Sequence, residues 1–271
     1  MINIISRINN RIKAFNKRFE KDERQLRKLA VLPRYTPGVF ILNDRKLSFP
    51  DTSSFAFTYR EIFKKDIYQF KTNRKEPFII DCGANIGLSV LYFKKMFPDA
   101  RIVAFEPESK IFAFLKTNTE AFTIQNLTLI KKALWKENKI ISFLNEGSDS
   151  SRIVNNNEVK DDSIYGVEAV RLSEYIVSVV DFLKIDIEGA EVEVIQEIEP
   201  KLEFVERIFI EFHSFKNQKQ NLDIILSILT RNNFHYHLDS PIRIANPFVY
   251  DNSFLSYDFF LNIYAIKSGL A

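Results

Sequence analysis

The stretch Phe78–Gly87, FIIDCGANIG, constrains this chain more than any other. Three apolar residues, Phe78, Ile79 and Ile80, run into Asp81. Gly83 and Gly87 follow, and then Leu88, Leu91, Tyr92 and Met96 recur at helical spacing through Leu88–Phe97. This is the pattern of a strand, a tight glycine turn and a helix. Glycine lacks a Cβ, so such a turn at a strand end lets backbone approach a nucleotide-like ligand. An ordinary βα turn carries the same residue types, so the reading needs support from the rest of the chain.

That support comes from repetition of the pattern. Arg101–Phe105 reads as a second strand stopped by Glu106-Pro107, and Ser109–Ala121 as a helix with Ile111, Phe112 and Leu115 inward. Leu127–Ile130 is a third strand, and Lys139–Leu144 another, short one. The polar stretch Glu146–Ser163 is the best candidate for a mobile loop, with Val167–Leu172 returning as a strand. Phe182–Ile187 is a buried strand, Glu191–Ile198 a helix, Arg207–Phe212 a strand closed by His213, and Leu222–Leu229 a helix. Phe234–Leu238 and Phe259–Ile266 are the last strands. Strands alternating with helices of about three turns predict an α/β domain with a mainly parallel sheet covered on both faces.

Acids then fall at one end of successive strands: Asp81, Glu106, Asp186 with Glu188, and Glu211 beside His213. In an open parallel sheet those carboxyl ends share one edge, where ligands bind. Glu106 lies 19 residues past Gly87. A carboxylate there can accept hydrogen bonds from both ribose hydroxyls, as in nicotinamide enzymes. The glycine turn separates the cases. A dinucleotide fingerprint requires G-x-G-x-x-G, but Asn85 stands where the middle glycine belongs. Asp81 also places negative charge beside the turn, which favours a ligand with a cationic centre over one with two phosphates.

With those residues in view, Asp81-x-Gly83-Ala84-Asn85-x-Gly87, Phe105-Glu106-Pro107 and the run LKIDIEGAE from Leu183 to Glu191 resemble the FkbM family of S-adenosylmethionine-dependent methyltransferases. The resemblance covers roughly residues 38–240, and LKIDIEGAE is its most specific part. It implies a Rossmann-like seven-stranded sheet with a reversed last strand, and methyl transfer to a hydroxyl of a sugar, glycan or other small natural-product acceptor. Carried over by position, Asp81, Gly83, Asn85 and Gly87 would hold the methionine part of the cofactor and Glu106 its ribose. Lys132, Ala133 and Leu134 would lie by the adenine, and Asp186 and Glu188 would line the junction with the acceptor. Leu172-Ser173-Glu174 departs from the Leu-Asp that many members carry before the fourth strand.

His213 is the most natural general base, since imidazole titrates near neutrality, with Asp186 and Glu188 as alternatives. Asp186, Glu188, Glu211 and His213 could also gather a divalent ion, but nothing in their spacing demands one, and no metal is expected. An NAD(P)-dependent oxidoreductase would explain Glu106 but neither the glycine pattern nor LKIDIEGAE. A non-catalytic methyltransferase-like binding protein would have no use for the strand-end acids.

Composition sets the outer limits. The chain has 271 residues, 46% hydrophobic and 27% charged, with 26 phenylalanines, enough for a substantial core. A net charge of +3 does not announce a nucleic-acid partner. The one cysteine, Cys82, excludes an intrachain disulfide and a cysteine-rich zinc site. No uncharged stretch is long enough to span a membrane, and the start lacks a signal-peptide core, so a soluble, cytoplasmic protein is expected. Three segments are expected. Residues 1–34 form a basic amphipathic helical arm, 35–75 a hairpin and helix that wall or cover the site, and 76–271 the main domain. The arm's Ile4, Ile8, Ile12, Phe15 and Phe19 share a face amid Arg7, Arg11, Lys13, Lys17 and Arg18. It suits docking on its own domain or in a homo-oligomer better than peripheral membrane contact through residues 1–30, because acids interrupt its charge.

Overall fold

The computed structural model describes residues 21–29, 31–145, 151–153, 164–215, 219–241, 248–249 and 257–270. The first twenty residues of the arm and most of the Glu146–Ser163 loop therefore lie outside the described residues. Residues 21–29 form helix α1. Its Leu26 is fully buried, and the Tyr59 hydroxyl donates to Asp22 at 2.8 Å, so this end of the arm docks on its own chain.

A hairpin follows, β1 (Gly38–Leu42) and β2 (Arg45–Phe49). Its two-residue turn holds Asn43 and Asp44 at φ 51 and 60°, the left-handed geometry that matches strand twist and that Asn and Asp tolerate. Helix α2 (Thr52–Lys64) follows, and residues 65–70 run irregularly to the sheet. Asp51 caps α2. Its carboxylate accepts the Ser54 N–H and hydroxyl at 2.9 and 2.8 Å and the Tyr35 N–H at 2.5 Å, and pairs with Arg34 at 3.2 Å. Burial works against that charge, but the Ser54 and Tyr35 hydrogen bonds and Arg34 hold its pKa below the usual carboxylate value. Asp51→Ala is expected to cost about 2 kcal/mol in urea unfolding, a lost cap plus an orphaned Tyr35 N–H. A group whose pKa is depressed by folding stabilises above its unfolded pKa and loses that effect as pH falls through the folded one. The penalty should therefore be full at pH 7 and fade in acid below about pH 4.

The main sheet has seven strands: β3 (Phe78–Cys82), β4 (Arg101–Phe105), β5 (Leu127–Ile130), β10 (Phe182–Ile185), β11 (Arg207–Phe215), β12 (Phe234–Asp239) and β13 (Tyr257–Lys267). Their order is β12-β13-β11-β10-β3-β4-β5, and only β13 runs antiparallel to its neighbours. This is the Rossmann-like seven-stranded sheet with a reversed last strand that the family resemblance implies. Consecutive strand residues face opposite ways. Ile79, Ile102, Ala104 and Phe209 enter one core with α2, α3 (Leu88–Met96) and α4 (Ser109–Ala121). Ile80, Leu183, Ile185 and Ile210 enter the other with α5 (Glu191–Glu197) and α6 (Leu222–Arg231).

The hairpin and α2 share the first of these cores, and buried Asn118 of α4 ties them on. Its oxygen accepts the Ser48 N–H, and its amide donates to the carbonyls of Ser48 and Ile86. The strands predicted near 139 and 167 do not extend the main sheet. β6 (Ala133–Leu134), β7 (Lys139–Asn145), β8 (Ser151–Ile153) and β9 (Ile164–Val170) form a second sheet in the order β6-β9-β7-β8. No described helix is long and apolar enough to cross a membrane.

Candidate active site

The sheet order reverses between β3 and β10, and the carboxyl ends of the strands there open into a cavity of about 520 Å³. One wall is the glycine turn Gly83–Ile86 with Lys184, Asp186, Glu188, Glu211 and His213. The opposite wall comes from β2, α2 and the segment after it, including Phe49, Ser54, Phe55, Thr58 and Tyr68. A larger cleft of about 1030 Å³ lies at the amino edge of the strands. Its charges largely satisfy one another, with Arg74 held at 2.8 and 2.7 Å from Asp181 and Glu206, so it has less chemistry to offer.

Gly83 is required by close approach. Its φ is 83°, and a Cβ there would sit 1.8 Å from the Asp186 carbonyl oxygen. Its N–H and that of Ala84 donate to the Phe105 carbonyl, which draws the ends of β3 and β4 together. Gly87 opens α3 at φ 94°, where a Cβ would press on Leu115 at 2.9 Å. Two non-glycine residues at the rim, Asn85 and Glu188, also adopt left-handed backbone, at φ 47 and 54°. Such strain concentrates where ligands bind.

Asp81 is fully buried on β3 beneath this turn and accepts the Ser89 hydroxyl at 2.5 Å. Burial pushes its pKa up, against the pull of Lys184. Lys184 is the residue the sequence reading overlooked. It is 2% exposed, and its Nζ lies 3.4 Å from Asp81 Oδ1 and 3.1 Å from Asp186 Oδ2 while donating to the Gly83 carbonyl at 2.8 Å. Burial opposes its charge, yet the carboxylates of Asp186 and Asp81 hold its pKa well above the usual lysine value. The signal was available, since a lysine inside an apolar strand two residues before an acid shares that acid's face.

Glu106 lies just past β4, almost buried. One oxygen accepts the Asn85 N–H at 3.0 Å and the other the Glu108 N–H at 2.9 Å, so the carboxylate braces the glycine turn and keeps a lone pair on each oxygen. Burial pushes its pKa up to about 7. Ala133 and Leu134 are buried in β6 and do not line the cavity. Lys132 beside them pairs with Glu168. Glu174 bonds Arg171 and Asn138 rather than the site. Cys82 is buried in the second core and burial lifts its thiol, so it offers no nucleophile.

His213 lies inside β11 rather than closing it, because pairing with β13 continues to Phe215. The ring is buried, with Nδ1 3.3 Å from Glu191 and Nε2 3.4 and 3.6 Å from Glu211 and Glu188. Burial opposes its charge, but Glu188, Glu191 and Glu211 prevail and hold its pKa well above the imidazole value. Glu188 keeps 40% of its side chain open to the cavity, and the enclosing protein lifts its carboxyl to about 7.

Known proteins are similar to this chain over the segment that carries the site. A family profile described as the Methyltransferase FkbM domain matches residues 81–236, from Asp81 past His213. The chain is 30% identical over 198 residues to methyltransferase sdnD of Sordaria araneosa, covering 57% of this chain and 73% of that protein. It is 26% identical over 163 residues to methyltransferase 1 of Beauveria bassiana (strain ARSEF 2860), covering 52% of this chain and 66% of that one, just under two thirds. A solved FkbM methyltransferase from Methylobacillus flagellatus KT aligns with 74% of this chain and 46% of its own at 17% identity, with a TM-score of 0.49. The profile takes in every strand-end acid described above and more than half of the chain, and on that match the chain belongs to the FkbM methyltransferase family.

Proposed function

We propose that this chain methylates a hydroxyl oxygen of a sugar, glycan or other small polar acceptor, with S-adenosylmethionine as donor. The observation that carries the reading is the shared cavity, which has a glycine turn ringed by carboxylates on one wall and aromatic rings among hydroxyls on the other. The residues fit the cofactor. Gly83 and Gly87 permit the tight left-handed turn that puts its backbone at the cavity, and Glu106 keeps free acceptor lone pairs for ribose hydroxyls. Asp81, Asp186, Glu188 and Glu211 outnumber Lys184 and His213, which suits a cationic ligand and repels a pyrophosphate. When bound, S-adenosylmethionine supplies an electrophilic methyl group on a positively charged sulfur.

In this reading the backbone of Gly83–Gly87 seats the methionine end, above the buried Asp81. The family resemblance gives the adenine to Ala133 and Leu134, but both are buried in β6 of the second sheet and outside the cavity, so neither side chain is assigned to it. Asp186 and Glu188 face the acceptor. Glu188 takes its proton, because its carboxylate opens to the cavity whereas the His213 ring is buried among three carboxylates. His213 then orients Glu188. Phe49, Phe55 and Tyr68, buried and packed on other rings, back this side of the cavity, and exposed Phe57 with Ser54 and Thr58 lines it, which suits an acceptor that is apolar on its faces and polar at its edges. No nucleic-acid partner is proposed.

Calorimetric titration with S-adenosylhomocysteine, with NAD in parallel, tests the proposal. Micromolar binding of the first is expected, weakened about 10- to 100-fold in Glu106→Gln, which loses hydrogen bonds to a charged acceptor. The ionised carboxylate accepts from both hydroxyls, and its pKa is about 7. Wild-type affinity should therefore rise between about pH 6 and 8 while that of the variant stays flat. Binding of NAD alone would overturn the reading.

A further inference from the structure

We infer that Asp186, Glu211 and His213 form a binding site for one divalent metal ion at the acceptor end of the cavity. A ligand atom from each lies within 4.8 Å of the others. Donors on a sphere of about 2.2 Å radius around an ion sit about 3 to 4.4 Å apart, so the set needs only small adjustments to close on one. The His213 Nε2 to Glu211 Oε1 distance of 3.4 Å is already that of adjacent ligands. Glu188 Oε2, 3.6 Å from the same nitrogen, offers a fourth donor.

The donors stand on rigid elements. Glu211 and His213 are two residues apart on β11 and share a face, and both pair with β13, opposite Asn262 and Phe260. Asp186 follows the end of β10, and its N–H donates to the Cys82 carbonyl. Lys184 engages Asp186 through Oδ2, which leaves the other oxygen available.

Two further observations point to a cation. Glu191 is 1% exposed, and its carboxylate is fixed by the N–H groups of Ile187 and Gly189 while lying 3.3 Å from His213 Nδ1. A carboxylate on Nδ1 fixes the ring's orientation, so that Nε2, the atom that faces Glu211, becomes the ligand once an ion displaces its proton. Separately, Asn262 stands opposite Glu211 in the β11–β13 register, so the two side chains share a face. Asn262 is 1% exposed, and its Oδ1 is buried without a hydrogen-bond donor. A buried amide oxygen ordinarily has a partner, and water polarised by a metal ion is a strong one. A mixed imidazole and carboxylate set suits Mn²⁺ or Zn²⁺ better than the all-oxygen shells of Mg²⁺ and Ca²⁺. An ion there would bind an acceptor oxygen and lower its pKa, a consequence that rests on the methyltransferase reading; the binding itself does not.

The test uses the full chain, freed of metal with EDTA and titrated with Mn²⁺ while free Mn²⁺ is followed by electron paramagnetic resonance. One ion per chain is expected, tighter than the roughly millimolar end of carboxylate-built sites. Its pulsed spectrum should show coupling to an imidazole nitrogen. Glu211→Gln should weaken binding at least about tenfold, and His213→Gln should remove the nitrogen signal. Glu191→Gln, which touches no ion, should weaken binding about 10- to 100-fold. Glu168→Gln, in the second sheet, should change nothing. Circular dichroism confirms that each variant is folded, and the nearly isosteric Glu211→Gln keeps the test sharp if His213→Gln is not. Absence of stoichiometric binding up to about 1 mM of either Mn²⁺ or Zn²⁺ would overturn the site, as would binding that Glu211→Gln leaves intact. Binding of S-adenosylhomocysteine to metal-free protein is measured alongside, so failure of the metal site is distinguishable from failure of the proposed reaction.

Discussion

Gly83→Ala should abolish binding of S-adenosylhomocysteine and destabilise the fold by at least about 3 kcal/mol, from left-handed strain plus a backbone collision. The added Cβ would stand 1.8 Å from the Asp186 carbonyl oxygen and 3.0 Å from its carbon. Both are backbone atoms, so no rotamer change relieves the overlap. Separating the strands would break the β3–β10 pairing at Asp81↔Lys184 and Cys82↔Ile185, and with it the Asp186 N–H to Cys82 carbonyl bond. The turn would also lose its hold on Phe105, because the Gly83 and Ala84 N–H groups bond the same carbonyl. Gly189→Ala is the instructive comparison. Its φ of 102° carries similar strain, but its Cβ would meet the Phe215 ring at 2.6 Å, and a side chain can swing aside. The urea midpoint of Gly83→Ala should therefore fall well below that of Gly189→Ala. Equal midpoints would mean that positive φ alone, and not close approach of two strand ends, is why glycine stands at 83.

The contrast between these two glycines shows what was legible in the sequence. The run FIIDCGANIG announced a tight turn, and apolar runs ending in acids placed Asp81, Asp186 and Glu211 at one edge. Both follow from local patterns with strong physical causes. That the turn's neighbour is the Asp186 carbonyl depends on β3 lying beside β10, a pairing of residues about a hundred positions apart that periodicity does not encode. The same limit explains β6 to β9. Alternation at Lys139–Leu144 reports a half-buried strand but not which sheet receives it, and that strand went to a second sheet. His213 looked like a strand end because the run of large apolar residues pauses there. Pairing with β13 carries the strand on and buries the ring, which gives it the carboxylate neighbours no spacing rule could foretell. Ala133 and Leu134 were placed by resemblance, and their burial in β6 is a tertiary outcome.

Lys184→Met is the other substitution with a large expected effect, and its pH dependence identifies the cause. Methionine fits the lysine's volume but removes the only cation beside Asp81 among the described residues. Asp81 is fully buried and would keep a single hydroxyl donor, Ser89. Stranding a buried charge by deleting its partner costs about 3–5 kcal/mol. Burial already raises the Asp81 pKa, and Lys184 is the strongest influence against that rise, so in the variant the pKa climbs further. An acid whose folded pKa exceeds its unfolded one binds more protons in the folded state between the two values. Stability is then lost as pH rises through that window and regained as pH falls towards the unfolded pKa. The gap between variant and wild type should be widest at pH 8 and narrow steadily towards about pH 4, the unfolded aspartate value. Adding Asp81→Asn should recover about 1–3 kcal/mol of the loss, the range of coupling between residues in contact. Urea unfolding at pH 8, 6.5 and 5 reads both effects. A gap that stays constant with pH, with no recovery in the double variant, would show that Lys184 acts through packing and its bond to the Gly83 carbonyl rather than by neutralising Asp81.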